Sequence, residues 1–453
     1  MTAVPARAHA PVFTRGSTMR HVAVMTATGS IGIIAIFAVD FLSLFWVSRI
    51  GVQSLKAAVG YASQLQFLAM SANIGITIAI TATCSRALGA GDRARARRLA
   101  ASGLAITGIV ATAISAALLV FRDQALANVL HANGEAASVA SNFLAISLPA
   151  NVPLALGMAL SGVLRAAGDA RRAMYVTLSG ALITAATDPT LIFGLGLGVY
   201  GAAWATLISR LVFLGVGLYG AVHVHHIVGR PRLRDIKMDA APIMTIGFPS
   251  IMANLATPVA AVYVTRVWSD FGEAAVAGGA IVDRVSPLAF GVVFALTASI
   301  GPIVGQNYGA KLMHRVRSAI TDSLVLSVGY STFAWACLAI AAPWIVAAFD
   351  ANGDAAVFVT FFCRYGAVAW VFVTFLFVAN TAFNNLGFPV LAMMFNWGRA
   401  TLGTIPFVTI GAKYGGFEGA MMGYAAGAAA FGLVSAATAY GITARLAKAV
   451  KTE

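Results

Sequence analysis

The chain predicts an all-α polytopic membrane protein with twelve transmembrane helices in two six-helix lobes related by a parallel repeat. Three observations carry this. Of its 453 residues 59% are hydrophobic and only 10% charged, and the mean hydropathy is +0.84. Apolar runs of about 20 residues, the length that crosses a bilayer as a helix, recur along nearly the whole chain. Landmark residues of the first half return in the second at a fixed offset. The net charge of +14 is no nucleic-acid signal, because the basic residues sit in short loops between apolar runs, where they set membrane orientation.

The predicted spans are 22–47, 57–85, 99–121, 138–164, 173–195, 199–222, 243–268, 277–304, 320–349, 356–385, 389–411 and 416–443. Residues 1–21 are basic and polar and lack the short apolar core of a signal peptide, so they read as a cytoplasmic leader. The leader, the alternate loops that follow it and the tail (444–453) carry 21 Lys and Arg. The opposite loops carry 4, namely Arg49, Lys56, Arg122 and Lys413. Both termini are therefore expected in the cytoplasm. The linker 223–242 joins the N-lobe (22–222) to the C-lobe (243–443). His223, His225 and His226 in it lack acid or Cys partners at ligand spacing and read as solvated loop. Cys84, Cys337 and Cys363 form no disulfide framework.

The repeat is explicit. Thr81-Ala82 leads to Gly89 as Thr297-Ala298 leads to Gly305; Gly168 precedes Ala173-Met174 as Gly387 precedes Ala392-Met393; Pro189 precedes Gly194 as Pro406 precedes Gly411. The offsets are 216, 219 and 217 residues. Six crossings return a chain to its starting side, so the two halves run parallel about an axis along the membrane normal. In this register Asp188 falls opposite Ile405 and Thr206 opposite Tyr424. Mid-membrane acid thus belongs to the first half.

Asp188 has 15 uncharged residues before it and 21 after it. A charge so deep costs about 2.5–3.5 kcal/mol even on lenient insertion scales, which makes it a candidate for an ion pathway. Thr184 lies one turn back on the same face, and Pro189 frees the carbonyl of Ala185. Asp40 sits late in the first span with Ser43 at i+3, and the sixth span carries Thr206 and, one turn on, Arg210. A mid-membrane guanidinium needs an anion, so Asp40, Asp188, Thr184, Thr206 and Arg210 are expected to cluster. One acid could stay ionised against Arg210 while the other exchanges a proton; the alternative is a fixed triad that locks helices. In the second half Asn254, Asn380, Asn384, Asn385 and Asn396 either line a substrate path or serve as interhelical hydrogen bonds. Asp283 and Arg284 lie about two turns into the eighth span, too far apart in angle to close on each other. Arg364 and Arg399 read as snorkelling residues. There is no P-loop, nucleophile elbow or HExxH, so no hydrolase or ATP-driven chemistry is indicated.

The stretches VSRIG (47–51), SRALGAGDRARARRLA (85–100), GVLRAAGDARRAMY (162–175), DPTLIFGLGLGVYGAAWAT (188–206), GFPS (247–250) and GPIVGQNYGA (301–310) together resemble the multidrug and toxic compound extrusion (MATE) family of secondary transporters. The resemblance implies two six-helix lobes in a V around a central cavity. It also implies alternating access and export of small organic, usually cationic, compounds against H⁺ or Na⁺ influx. The chain is more similar to the DinF-like branch, whose ion site lies in the N-lobe, than to the NorM-like branch, whose C-lobe acids in the seventh and tenth spans are missing here. Asp188 and Thr206 match the DinF-like pattern. Thr184 stands where that pattern has Asn, and Ser43 where it has the first-span Asp, with Asp40 one turn earlier. Both departures favour protons over Na⁺, for which Asp40, Asp188 and Thr206 would supply the oxygens.

The expected protein is therefore a monomeric antiporter of a bacterial cytoplasmic membrane that needs no cofactor and binds membrane lipid, with Asn254, Asp283, Asn380 and Asn384 as substrate-contact candidates. The rival reading is a flippase for a lipid-linked precursor, which would require a strongly cationic central cavity.

Overall fold

A computed structural model describes residues 11–49 and 53–452. In lipid a backbone must satisfy its own polar groups, so an apolar chain of this kind becomes helix. No strand occurs among the described residues. The helices are α1 (Thr18–Arg49), α2 (Gln53–Gly89), α3 (Arg93–Val120), α4 (Gly134–Ala166), α5 (Ala170–Gly194), α6 (Val199–Val224), α7 (Leu233–Ser269), α8 (Glu273–Gly309), α9 (Met313–Ala348) and α10 (Gly353–Leu386). The last helical stretch is broken by non-helical backbone at Gly415 and Gly416. It therefore divides into α11 (389–414, with a turn at 401–404) and α12 (417–452).

The helices overrun the predicted spans at the ends that carry the basic loops: α7 begins at Leu233 and α9 at Met313. Hydropathy falls where charges begin, but a helix continues as long as its hydrogen bonds do. The linker is non-helical only over 225–232. It is also more ordered than a solvated loop. His225 Nε2 lies 2.7 Å from Asp169 Oδ2, and Arg93 Nη2 donates to His225 O over 2.6 Å. Two of the tight turns share one construction. Gly91 and Gly168 take left-handed φ of 79° and 88°, where glycine is favoured. The next residue, Asp92 or Asp169, caps the following helix through the backbone N–H of Arg95 or Arg172.

The lobes close on each other at the end bearing the basic loops. A Cβ on Gly89 would come within 2.0 Å of Gln306 O and one on Gly309 within 2.1 Å of Arg86 O, so only glycine lets α2 and α8 cross there. Arg86 Nη2 donates to Asn384 O over 2.6 Å. The segment before α1 is no loose leader in its described part. Phe13 is 2% exposed, and its N–H donates to Gln306 Oε1 over 2.9 Å. Its carbonyl accepts from Asn307 Nδ2 and Arg315 Nη2. Gln306 in turn donates to Ala166 O over 2.8 Å, and Val12 packs on Gly168. One side chain, Gln306, thus ties the N-terminal segment, the N-lobe and the C-lobe together.

Candidate ion-coupling site

The site begins with α5. Its α-helical part ends at Pro189 and passes into a π-helical segment, Thr190–Gly194. Here the chain widens to i→i+5 bonding, with Leu195 N donating to Thr190 O over 2.9 Å, one of the ways a helix accommodates a disrupted ladder. Asp188 sits just before this widening and is 1% exposed. Helix α1 packs along α5 closely enough that a Cβ on Gly32 would meet the Thr177 hydroxyl. This brings Ser43 to the acid, where its hydroxyl donates to Asp188 Oδ2.

Asp40, one turn before Ser43, is exposed. It lies within electrostatic reach of both Asp188 and Arg210. No ion pair within 4.0 Å joins it to Arg210 among the described residues. The arrangement is thus two carboxylates and one guanidinium coupled through space, with a serine bridging α1 and α5. Thr184 and Thr206 turn their hydroxyls back onto their own helices, donating to Gly180 O (3.0 Å) and Ala202 O (2.9 Å). Each keeps oxygen lone pairs but makes no hydrogen bond to either acid. The Thr184 contact inferred from helical spacing is therefore a shared face only.

In the C-lobe Asn254 donates to its own helix at Ser250 O over 2.8 Å. Asn384 accepts from Ser250 Oγ over 3.4 Å, while its carbonyl takes Arg86, so it belongs to the lobe closure. Asn380 Oδ1 is buried without a partner. Asp283 and Arg284 are both exposed and form no ion pair with each other. Arg364 is exposed, but Arg399 is 4% exposed and does not snorkel. The roles of Phe13, Gln306 and Asn307 were not legible beforehand, although the last two lie within GPIVGQNYGA. Their partners are about 300 residues away. No group of three or more His, Cys, Asp or Glu able to hold a metal ion occurs among the described residues.

A family model described as MatE matches residues 30–190 and again 249–410. The chain belongs to the MatE family. The two matches begin 219 residues apart, the spacing of the internal repeat. A relative named FAD transporter, from Shewanella oneidensis, is 26% identical over 409 residues, covering 88% of this chain and 89% of its own. The probable multidrug resistance protein NorM of Thermotoga maritima is 29% identical over 290 residues, covering 62% and 61%. Among solved structures, a mutant of the Vibrio cholerae MATE transporter VcmN superposes with a TM-score of 0.88 at 23% identity, over 96% of this chain and 98% of that one. That likeness shows the fold. This MatE chain is accordingly a multi-pass membrane transporter and not an enzyme.

Proposed function

We propose that the chain is a secondary antiporter that exports small organic compounds in exchange for H⁺, with both termini in the cytoplasm of a bacterium. The observation that carries the ion-coupling part is the buried Asp188, bonded to Ser43 and in electrostatic reach of Asp40, which in turn feels Arg210. A proton needs one carboxylate. Na⁺ needs several convergent oxygens, and here Ser43 presents its hydrogen to Asp188 while Thr184 and Thr206 bond to their own helices. With the basic loops cytoplasmic, the closure at Gly89, Gly309 and Gln306 seals the inner side. Neutralising the acids then alters the balance between this state and its opposite. A potential of about 100 mV supplies about 2.3 kcal/mol per proton. The relatives' names make FAD and drug-like compounds the first substrates to try.

The test is export by purified protein in proteoliposomes, with pH and Na⁺ gradients imposed separately and ethidium and FAD as cargo. Export driven by the pH gradient and reduced at least about tenfold in Asp188→Asn is the expected outcome. Asp40→Asn should shift the pH dependence of the rate. A Na⁺ gradient that drives export at constant pH, or an unimpaired Asp188→Asn, overturns the reading.

A further inference from the structure

The C-lobe holds an unanswered charge of the opposite sign. Arg399 lies ten residues after Pro389 on α11, about 15 Å along the helix and so near the middle of a hydrocarbon core about 30 Å thick. The side chain is 4% exposed. Nη1 donates to Tyr424 Oη over 3.1 Å, Nε is buried without a partner, and no carboxylate lies within 4.0 Å. Arginine cannot shed its proton at any pH a cell reaches, and a buried charge without a counter-charge is strongly destabilising.

Tyr424 is the repeat's counterpart of Thr206, and its position is set by close helix contact. A Cβ on Gly423 would come 2.1 Å from Phe407 O, and one on Gly427 1.6 Å from Gly403 O, so α12 runs directly against α11. The phenol engages Nη1, which leaves the opposite edge, Nε and Nη2, without a hydrogen bond among the described residues. That edge is the one a carboxylate or phosphate engages through two parallel bonds.

We propose that the C-lobe binds an oxyanion, a carboxylate or phosphate, on the Nε–Nη2 edge of Arg399, with Tyr424 as the positioning residue. The lobes then divide the work by sign, with protons in the N-lobe and an anion in the C-lobe. The oxyanion is either free in solution or part of the cargo. Only the second case rests on the export reading.

The purified full chain is titrated with sodium phosphate, with chloride as balancing anion, and its thermal unfolding followed. The same protein in proteoliposomes is assayed for export of calcein, a polycarboxylate, against ethidium. If the anion is free, phosphate raises Tm in the wild type and not in Arg399→Gln, and Arg399→Lys responds weakly because a point charge replaces a fork. If the anion is cargo, Arg399→Gln loses calcein export about tenfold while ethidium export is retained. Tyr424→Phe keeps the ring and weakens either response several-fold, which preserves the test should Arg399→Gln fail to fold. A phosphate response that persists in Arg399→Gln overturns the proposal. So does an absent response combined with equal calcein and ethidium export in wild type and Arg399→Gln, or a Tyr424→Phe protein unchanged in both assays. Wild type that responds to phosphate but exports nothing under a pH gradient removes the antiport reading and leaves the anion site standing.

Discussion

The hydroxyl of Ser43 stands against Asp188 where the resemblance calls for a second carboxylate. A hydroxyl can donate to an ionised acid and accept from a protonated one, so it serves both states by turning about one bond. Ser43→Ala leaves Asp188 without that donor. The expected loss is about 1 kcal/mol, read as a roughly fivefold slower pH-driven export with unchanged thermal stability. A different carboxylate governs the loop side. Burial pushes Asp169 upward, but hydrogen bonds from His225, from the Arg172 backbone and from the Arg172 guanidinium hold it well below the usual carboxylate range. Its stabilising contribution is therefore complete above its ordinary value of 3.8 and lost only as pH falls through the lower folded value. Between pH 5 and pH 8 this group should leave Tm flat. Asp169→Ala should cost about 1 kcal/mol at pH 7 through the lost cap and remove the part of the acid-side decline that belongs to this carboxylate.

At the scale of elements, α11 and α12 illustrate how helices associate where lipid removes the hydrophobic driving force. The spacing Gly419, Gly423 and Gly427 gives a small-residue stripe, and the backbone of the partner helix fills it. Gly427→Ala should destabilise the protein by about 1–3 kcal/mol, measured as a lower Tm in detergent. The matching control is Gly441→Ala, where nothing lies within 4 Å of an added Cβ, and its Tm should not fall. Helix α5 shows the opposite device. Pro189 is followed by a π segment, so the acid beside it sits where the helix departs from regular bonding.

For the whole molecule, the decisive contact is the N-terminal segment wedged between the lobes at Gln306, Asn307 and Gly168. This seal must open if the basic face is to admit cargo. Phe13→Ala removes a buried aromatic worth about 3–5 kcal/mol in a tight core. Spin labels in the turns at 90–92 and 310–312 should then report a longer, broader distance distribution than in the wild type. An unchanged distribution would mean that α2 and α8 alone hold the closure.

Charge placement and hydropathy determined the membrane class and the number of spans, because each span must bury its own backbone in lipid and so announces itself locally, and residues returning at offsets of 216, 217 and 219 determined the two-lobe repeat. Asp188, Asp40 and Arg210 were legible for the same reason, since an ionisable group inside an apolar run is costly wherever it points. Only the tertiary structure decided that Ser43 is the residue bonded to Asp188, that Thr184 and Thr206 turn back on their own helices, and that Arg399 is buried. Those outcomes depend on which faces of separate helices meet, and packing contacts between residues far apart in the chain leave no periodic trace in it.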